Sequence, residues 1–519
     1  MTLKPLPIGI QTFRDVIEGG YLYVDKTQSI YDLIRHPKGI LFFARPRRFG
    51  KSLLLSALQE VFEGNRDLFR GLWLHDAPYQ WEQHPIIRVD FSRNPIQTAV
   101  ELKQDLQWRF AQIAQAHGIE LEGQSYTHQF ENLIFQLASH KKVVILIDEY
   151  DKPMLDNITD LAEAQRIQET LKRFYTVLKS MDAHIRFVFL TGISKFSKVG
   201  VFSGLNNLQD ISMDNQYAAL CGFTQNELET VFPAYLHELA ESDGVETAVL
   251  HAQIKQWYNG FCFSRKCVPV YNPFSILLLF QMKEFRNYWF ESGTPTFLIK
   301  LLKNRNYDVR QLDHLEVNEL AFSSYEIDTL QIVPLLFQTG YLTIKGYDPQ
   351  SRLYTLSYPN FEVEHAFLYY LLGAFGSVDH TISGGYLWKL IRALQSQDLD
   401  RFFEVLNIFF ADIPYDIQLK QEKYYQTIFY LLFKLMGLEI EAEARTSHGR
   451  IDAVVDTPDT LFLFEFKLDG SAEKALAQIQ EREYFARYLD RAKPLTLVGV
   501  NFSAKTRSVA DWQIARLNT

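Results

Sequence analysis

Three cysteines, Cys221, Cys262 and Cys267, are too few for a disulfide framework in a chain of 519 residues, and no histidine pair stands near them to complete a zinc site. A reducing compartment is the simple expectation. Long apolar runs are also missing. The most apolar segments, "VYNPFSILLLFQM" and "IFYLLFKLMGL", fall short of the roughly 18 residues that a membrane-spanning helix needs. The opening "MTLKPLPIGIQTFRDVIEGG" lacks a basic start followed by an apolar stretch, so no secretory leader and no membrane partner are expected. The chain reads as cytoplasmic. It shows no low-complexity tract, internal repeat or flexible linker. Positive charge is scarce as well. The formal net charge is −9, and residues 411–519 hold 14 Lys or Arg against 16 Asp or Glu. Any nucleic-acid partner must therefore meet a local basic patch rather than a basic domain.

Apolar and aromatic residues are plentiful, at 47% and 14% of the chain, which supports sizeable cores and argues against disorder. The length allows about two to four domains. In the first third, apolar strands alternate with helices. "GILFFA", "PIIRVDFS", "KKVVILIDEYD" and "HIRFVFLTG" read as strands, and residues 96–118 and 160–182 as helices. Continuous apolar strands separated by helices predict a parallel sheet covered on both faces.

Between the first strand and the helical "KSLLLSALQEVFEG" stand Gly50, Lys51 and Ser52. A phosphate loop needs backbone N–H groups at a helix N-terminus, a lysine for the β/γ phosphates and a hydroxyl for Mg²⁺. The full pattern wants a glycine five residues before Gly50, where this chain has Arg45. The strand "VVILIDE" supplies the complementary acids. Asp148 is placed to hold Mg²⁺ and Glu149 to orient or deprotonate the attacking water, unless both merely cap a strand end. Arg47 and Arg48 either touch phosphates or are solvated loop charges. Thr191, closing "FVFLT", is either a polar sensor of the γ-phosphate or an ordinary strand terminus.

Residues from about 215 to 400 read as mostly helical. Within them, residues 320–375 suggest a helix, two strands joined by a turn, and another helix, the order of a winged helix. The last part opens on the helical "QEKYYQTIFYLLFKLMG". "RIDAVVD" and "LFLFEFK" follow as a hairpin around the turn "TPDT", then the helix "SAEKALAQIQEREYFARYL" and the strand "LTLVGVNFS". With a four-residue loop, Asp456 faces Leu461 and Asp452 faces Glu465, while Lys467 shares the face of Glu465. The opposite face carries Ile451, Ala453, Val455, Phe462, Phe464 and Phe466. Like charges directly opposed on a sheet are destabilising, so the pair asks for a cation. A divalent metal on two carboxylates beside a lysine is the chemistry of phosphodiester hydrolysis. The alternative is a solvent-exposed strand face with a chance Glu465–Lys467 ion pair.

Together, "LPIGIQTFRDVI", "YLYVDKT", "RPRRFGKSLLLS", "LIDEYDKP", "TGISKFSKVGVFSGLNNL", "WYNGFCF", "YNPFSIL", "LLFQTGYLTI", "YPNFEVEHAF", "GRIDAVVD", "EFKLDGSAEKALAQI" and "VGVNFS" resemble a bacterial and archaeal family. It joins an N-terminal AAA-ATPase-like domain to a C-terminal PD-(D/E)XK nuclease-superfamily domain. The resemblance implies an α/β protein with three parts. These are a P-loop NTPase parallel sheet over 1–215, a helical and winged-helix region over 216–405, and a restriction-endonuclease-like α/β domain over 406–519. It implies ATP and Mg²⁺, with Mn²⁺ an alternative at the nuclease site, and DNA as a partner. It implies catalytic positions at Asp452, Glu465 and Lys467. It also implies a glutamate on the preceding helix, best matched by Glu422 with Glu443 as the alternative. Gln478 matches a further position, as a contact to substrate backbone or as an ordinary helical glutamine. A homo-oligomer is a further expectation, and no arginine of this chain stands out as one that completes a neighbour's site.

Overall fold

A computed structural model describes residues 3–195, 201–202, 204–291, 296–305, 307–322, 331–376, 380–413, 422–446, 449–489 and 493–517. The chain divides into two compact units. The first comprises Met1–Gly293 with His314–Val363, and the second Thr294–Asp313 with Glu364–Thr519.

The first unit is built on five strands: β1 (Gly39–Ala44), β2 (Ile86–Asp90), β3 (Val143–Asp148), β4 (Ile185–Gly192) and β5 (Gln209–Asp210). They pair in the order β2-β3-β4-β1-β5, parallel throughout. All six residues of β3 are buried, as a strand covered on both faces requires. The helix Lys51–Phe62 follows β1, and the helices Ala99–Ala116, Tyr126–Leu137 and Leu161–Ser180 cover the sheet. Phe110, Phe130 and Phe174 stack among the last three, with ring centroids 4.9 and 4.7 Å apart. Thr98, Ser125 and Asp160 cap these helices by accepting N–H bonds with their side-chain oxygens. The helix Tyr126–Leu137 was not expected from the sequence, although Ser125 is a regular cap.

Four further helices, Gln225–Val231, Pro233–Asp243, Thr247–Tyr258 and Pro273–Met282, close around Phe232, Leu250, Ile254 and Phe280. A small antiparallel sheet of β6 (Leu315–Val317), β7 (Thr343–Asp348) and β8 (Leu353–Ser357) pairs in the order β6-β8-β7. The helix Ile332–Thr339 leads into β7, and the helix Phe361–Gly376 leaves β8. The cysteine reading changes at one point. Cys262 and Cys267 are bonded to each other, their Cα atoms 4.9 Å apart, across a turn in which the Cys267 N–H donates to Ser264 O. Cys221 is a buried thiol.

The second unit holds β9 (Glu439–Thr446), β10 (Gly449–Asp456), β11 (Leu461–Leu468), β12 (Leu495–Ser503) and β13 (Ser508–Leu517), in the order β13-β12-β11-β10-β9. Only β11 and β12 run parallel. The hairpin turn forms at "TPDT", where the Thr457 N–H and hydroxyl both donate to Thr460 O, at 3.0 and 2.7 Å. Asp456 faces Leu461 and Ala453 faces Phe464, the register the four-residue loop demands.

Phe429 of the helix Glu422–Leu435 lies on Phe464 and Phe466 at 5.0 and 4.7 Å. The other face is buried too. Ile479 of the helix Ala472–Glu481, with Tyr484 and Tyr488, covers Leu461, Leu463, Leu495 and Leu497. That helix is shorter than the sequence suggests, because the chain turns at Glu483, whose φ is 45°. The outer strands β9 and β13 were not expected either. As sheet edges they carry charged residues instead of apolar runs.

Candidate nucleotide site and candidate nuclease site

In the first unit, a cavity of about 480 Å³ opens over the phosphate loop. Arg47 to Leu54 and Glu149 line one side, and apolar groups such as Ile10, Leu22, Val24, Phe223 and Phe274 the other. Gly50 precedes the helix Lys51–Phe62 with a φ of 88°, a left-handed conformation that favours glycine. The Lys51 ammonium donates to the carbonyls of Arg45 and Pro46, at 3.0 Å each. Burial lowers its pKa, while Asp148 and Glu149 pull the other way. The Ser52 side chain lies beside Asp148 at the end of β3 and favours its charged form. Asp148 is 2% exposed, and burial raises its carboxyl above the usual range. Glu149 follows with a φ of 50°, and burial raises its carboxyl as well. A hydroxyl and a carboxylate are hard oxygen donors suited to Mg²⁺.

Because β4 lies between β1 and β3, Thr191 stands between the loop strand and the acid strand, opposite Phe43. It is 0% exposed, and among the described residues its hydroxyl has no hydrogen-bond partner. Arg47 and Arg48 both line the cavity. The Arg47 carbonyl accepts the Trp289 indole N–H at 3.2 Å, and the Arg48 guanidinium lies 4.7 Å from the Phe274 ring.

Two residues of this site escaped the sequence reading. Asp151, 1% exposed, accepts from the N–H groups of Ile193 and Ser194 and from the Ser194 hydroxyl. It ties the segment after β4 to the acids at the end of β3, and the third acid of "DEYD" was its signal. Arg45, at the place of the missing glycine, points into the protein rather than the cavity, with its guanidinium on backbone carbonyls.

In the second unit, Asp452, Glu465, Lys467 and Gln478 are brought together. Asp452 Oδ2 accepts the Phe466 N–H at 2.7 Å, so this carboxylate reaches across to β11. Glu465 is only 3% exposed, which excludes the open strand face for it. Its Oε1 accepts from Lys467 Nζ at 3.0 Å and from the Gln478 side-chain amide. The Gln478 amide also lies 3.5 Å from Tyr484 Oη, so it faces the acid and a covering tyrosine. The side chains of Glu422, at the start of its helix, and Glu443, on β9, lie outside the described residues. Among the described residues no group of three His, Cys, Asp or Glu is gathered for a metal. The two carboxylates present are nonetheless of the oxygen-donor kind that suits Mg²⁺ or Mn²⁺.

The fold and its two sites define a phosphate-loop NTPase-type unit followed by a nuclease-like sheet. The predicted AAA-ATPase family matches residues 7–202, and the PD-(D/E)XK nuclease superfamily matches residues 420–512. A protein of Azotobacter chroococcum mcd 1, described as "Uncharacterized protein in vnfD 5'region", is 41% identical over 540 residues and covers 100% of both chains. The chain belongs to this family, in which a predicted AAA-ATPase domain precedes a PD-(D/E)XK nuclease-superfamily domain. Among solved structures, the Aeropyrum pernix ORC2 protein in its ADPNP-ADP complexes aligns with 68% of this chain and 95% of its own, at 12% identity and a TM-score of 0.28. The ADP form of that protein aligns with 67% and 93%, at 10% identity and the same TM-score.

Proposed function

We propose that the chain binds and hydrolyses ATP and carries a Mg²⁺-dependent phosphodiesterase acting on DNA, with ATP gating cleavage. The observation that carries the nuclease half is the buried Glu465 held by Lys467 and Gln478, with Asp452 reaching the same strand. Burying a carboxylate beside a second acid is a poor way to stabilise a sheet, where an apolar residue of similar size often does as well. Asp452 and Glu465 would hold the metal, with Glu422 or Glu443 as a third acid. When bound, the ion supplies polarisation of the scissile phosphate. Lys467 steadies the negative charge that develops, and Gln478 keeps Glu465 oriented.

At the first site, Ser52 and Asp148 would hold the nucleotide's Mg²⁺, and Lys51 with Gly50 the phosphates. Arg47 and Arg48 flank them, Thr191 senses the γ-phosphate, and Glu149 orients the attacking water. The three-part division at 215 and 405, with a winged helix over about 320–375, belongs to this reading. So do a cytoplasmic setting, a homo-oligomer and a role in defence against or control of foreign DNA.

A second reading is a nucleotide-switched DNA- or protein-binding regulator with a non-cleaving scaffold. The slight excess of acid over base in residues 411–519 favours it. Cleavage of supercoiled, linear and single-stranded DNA with Mg²⁺ or Mn²⁺, with and without ATP, separates the two. Metal-dependent cleavage lost in Asp452→Ala, and altered by ATP in the wild type but not in Lys51→Ala, supports the first. ATP-dependent DNA binding without cleavage in any lane supports the second.

A further inference from the structure

Arg45 occupies the position where the general phosphate-loop pattern carries glycine, and the protein gives it an unusual burial. Its side chain is 2% exposed. Nη1 donates to the carbonyls of Ala44 and Ser212 at 2.8 Å each, and Nη2 to those of Tyr217 and Ala218 at 3.1 and 3.4 Å. The rings of Phe43 and Phe263 flank the guanidinium at 4.3 and 4.2 Å. Among the described residues no carboxylate forms an ion pair with it, and burial lowers its pKa to about 10. Its Nε has no hydrogen-bond partner among the described residues, and a buried cation held only by carbonyls through Nη1 and Nη2 is a costly choice unless it sets a geometry.

The carbonyls it holds belong to two pieces of chain. Ala44 ends β1, the strand that leads into the phosphate loop, while Ser212, Tyr217 and Ala218 precede Leu220–Phe223, which line the same cavity. The Ser212 hydroxyl reinforces the tie by accepting the Ala44 N–H at 2.9 Å. At its other end, Arg45 offers its own carbonyl to Lys51. The Lys51 ammonium donates to the Pro46 carbonyl as well, so the backbone of the loop and its lysine are joined through Arg45.

We propose that Arg45 is a positioning residue for nucleotide binding. It clamps the phosphate loop to the segment 212–218, holding the loop open and the cavity wall in register when Lys51 turns to the phosphates. The planar fork suits this task, because one guanidinium reaches several fixed carbonyls at once. This inference rests on the nucleotide-binding reading.

The test is titration of a fluorescent ATP analogue with Mg²⁺ against the full-length protein and its Arg45→Gly, Arg45→Lys and Val89→Ala variants, with thermal unfolding of each. Arg45→Gly restores the general pattern, yet is expected to weaken binding about 10- to 100-fold, the scale of a loop misplaced by about an ångström. Arg45→Lys keeps the charge without the fork and is expected to weaken binding about 10-fold. Millimolar methylguanidinium should recover part of the Arg45→Gly loss by occupying the vacated site. Val89→Ala, in the buried strand β2, lowers stability without changing affinity, which separates positioning from mere loss of stability. Wild-type affinity in Arg45→Lys, or in a folded Arg45→Gly, overturns the proposal. Loss of affinity in Val89→Ala in proportion to its lost stability overturns it too. Absence of binding by the wild type fails the nucleotide reading instead.

Discussion

Asp452 has a structural task, a bond to β11, and a proposed chemical one, and two substitutions can pull them apart. Its Oδ2 accepts the Phe466 N–H at 2.7 Å, a charged hydrogen bond to a residue that is itself buried. Such a bond contributes about 1.5–3 kcal/mol, against about 0.5–1.5 kcal/mol for a neutral one. Asp452→Ala removes the acceptor and leaves the N–H unmatched, so it costs most of the larger figure. Asp452→Asn keeps an acceptor and loses only the difference, about 1 kcal/mol. Relief of repulsion from Glu465 returns about 0.2–1 kcal/mol in both. For a unit of this size, 1 kcal/mol moves the melting temperature by about 2–4 °C. Asp452→Ala should therefore melt roughly 3–8 °C below the wild type, and Asp452→Asn within about 3 °C of it. If the carboxylate holds the metal, both lose Mg²⁺-dependent cleavage by at least about 100-fold despite this difference. Calorimetry of the full chain gives the first quantity and a plasmid-nicking assay the second. Cleavage by Asp452→Asn at the wild-type rate would reduce the residue to a structural role. Equal melting of the two variants would refute the hydrogen-bond argument.

Thr191→Val should leave stability unchanged or raise it by about 1 kcal/mol, because it removes a buried hydroxyl with no partner among the described residues; ATP turnover should nevertheless fall, and unchanged turnover would end the sensor assignment. Phe429→Ala empties a site ringed by Phe433, Phe464 and Phe466 and should cost about 3–5 kcal/mol in the second unit, read by calorimetry. Burial raises the carboxyls of Asp148 and Glu149, so both take up protons at a higher pH than ordinary acids. A protonated Asp148 cannot hold Mg²⁺, so Mg²⁺–nucleotide affinity should fall on acidification before the ordinary carboxylate range is reached. Burial lowers Lys51, so affinity should also fall on the alkaline side before the ordinary lysine value of 10.5. Calorimetric titration across pH checks both limbs, and a profile unchanged in Asp148→Asn would contradict the acid limb.

The parts legible in the sequence were those with a strict period or a strong turn. "TPDT" with alternating residues on either side made the hairpin register legible from Asp456–Leu461 to Ala453–Phe464, which brings Asp452 to the Phe466 N–H, one residue beyond Glu465. The apolar run before Asp148 announced a central strand. What stayed hidden depended on distant chain. Nothing local shows that residues after Ser471 fold back to bury Glu465, or that the Arg45 fork finds carbonyls about 170 residues away. β9 and β13 were invisible because edge strands carry charge and lack the apolar pattern of a buried one. Asp151 stood at the end of a stretch read as strand, and its partners, Ile193 and Ser194, belong to the segment after another strand.

In the second unit's sheet, the one parallel pair among the described strands, β11 with β12, imposes an order on assembly. β10 and β11 are joined by a four-residue turn and can close within about 1–10 μs. β12 must wait for the crossover through the helix Ala472–Glu481, and loop closure over that distance slows its docking. An isolated two-stranded hairpin is only marginally stable in water, so β10 and β11 persist once β12 docks beside β11. Before that docking, Glu465 lacks the Gln478 amide that it accepts from in the finished sheet. Two like charges on an unfinished β-ribbon discourage pairing with other nascent chains. The surroundings of Glu465 therefore close only with the last step in the assembly of this sheet.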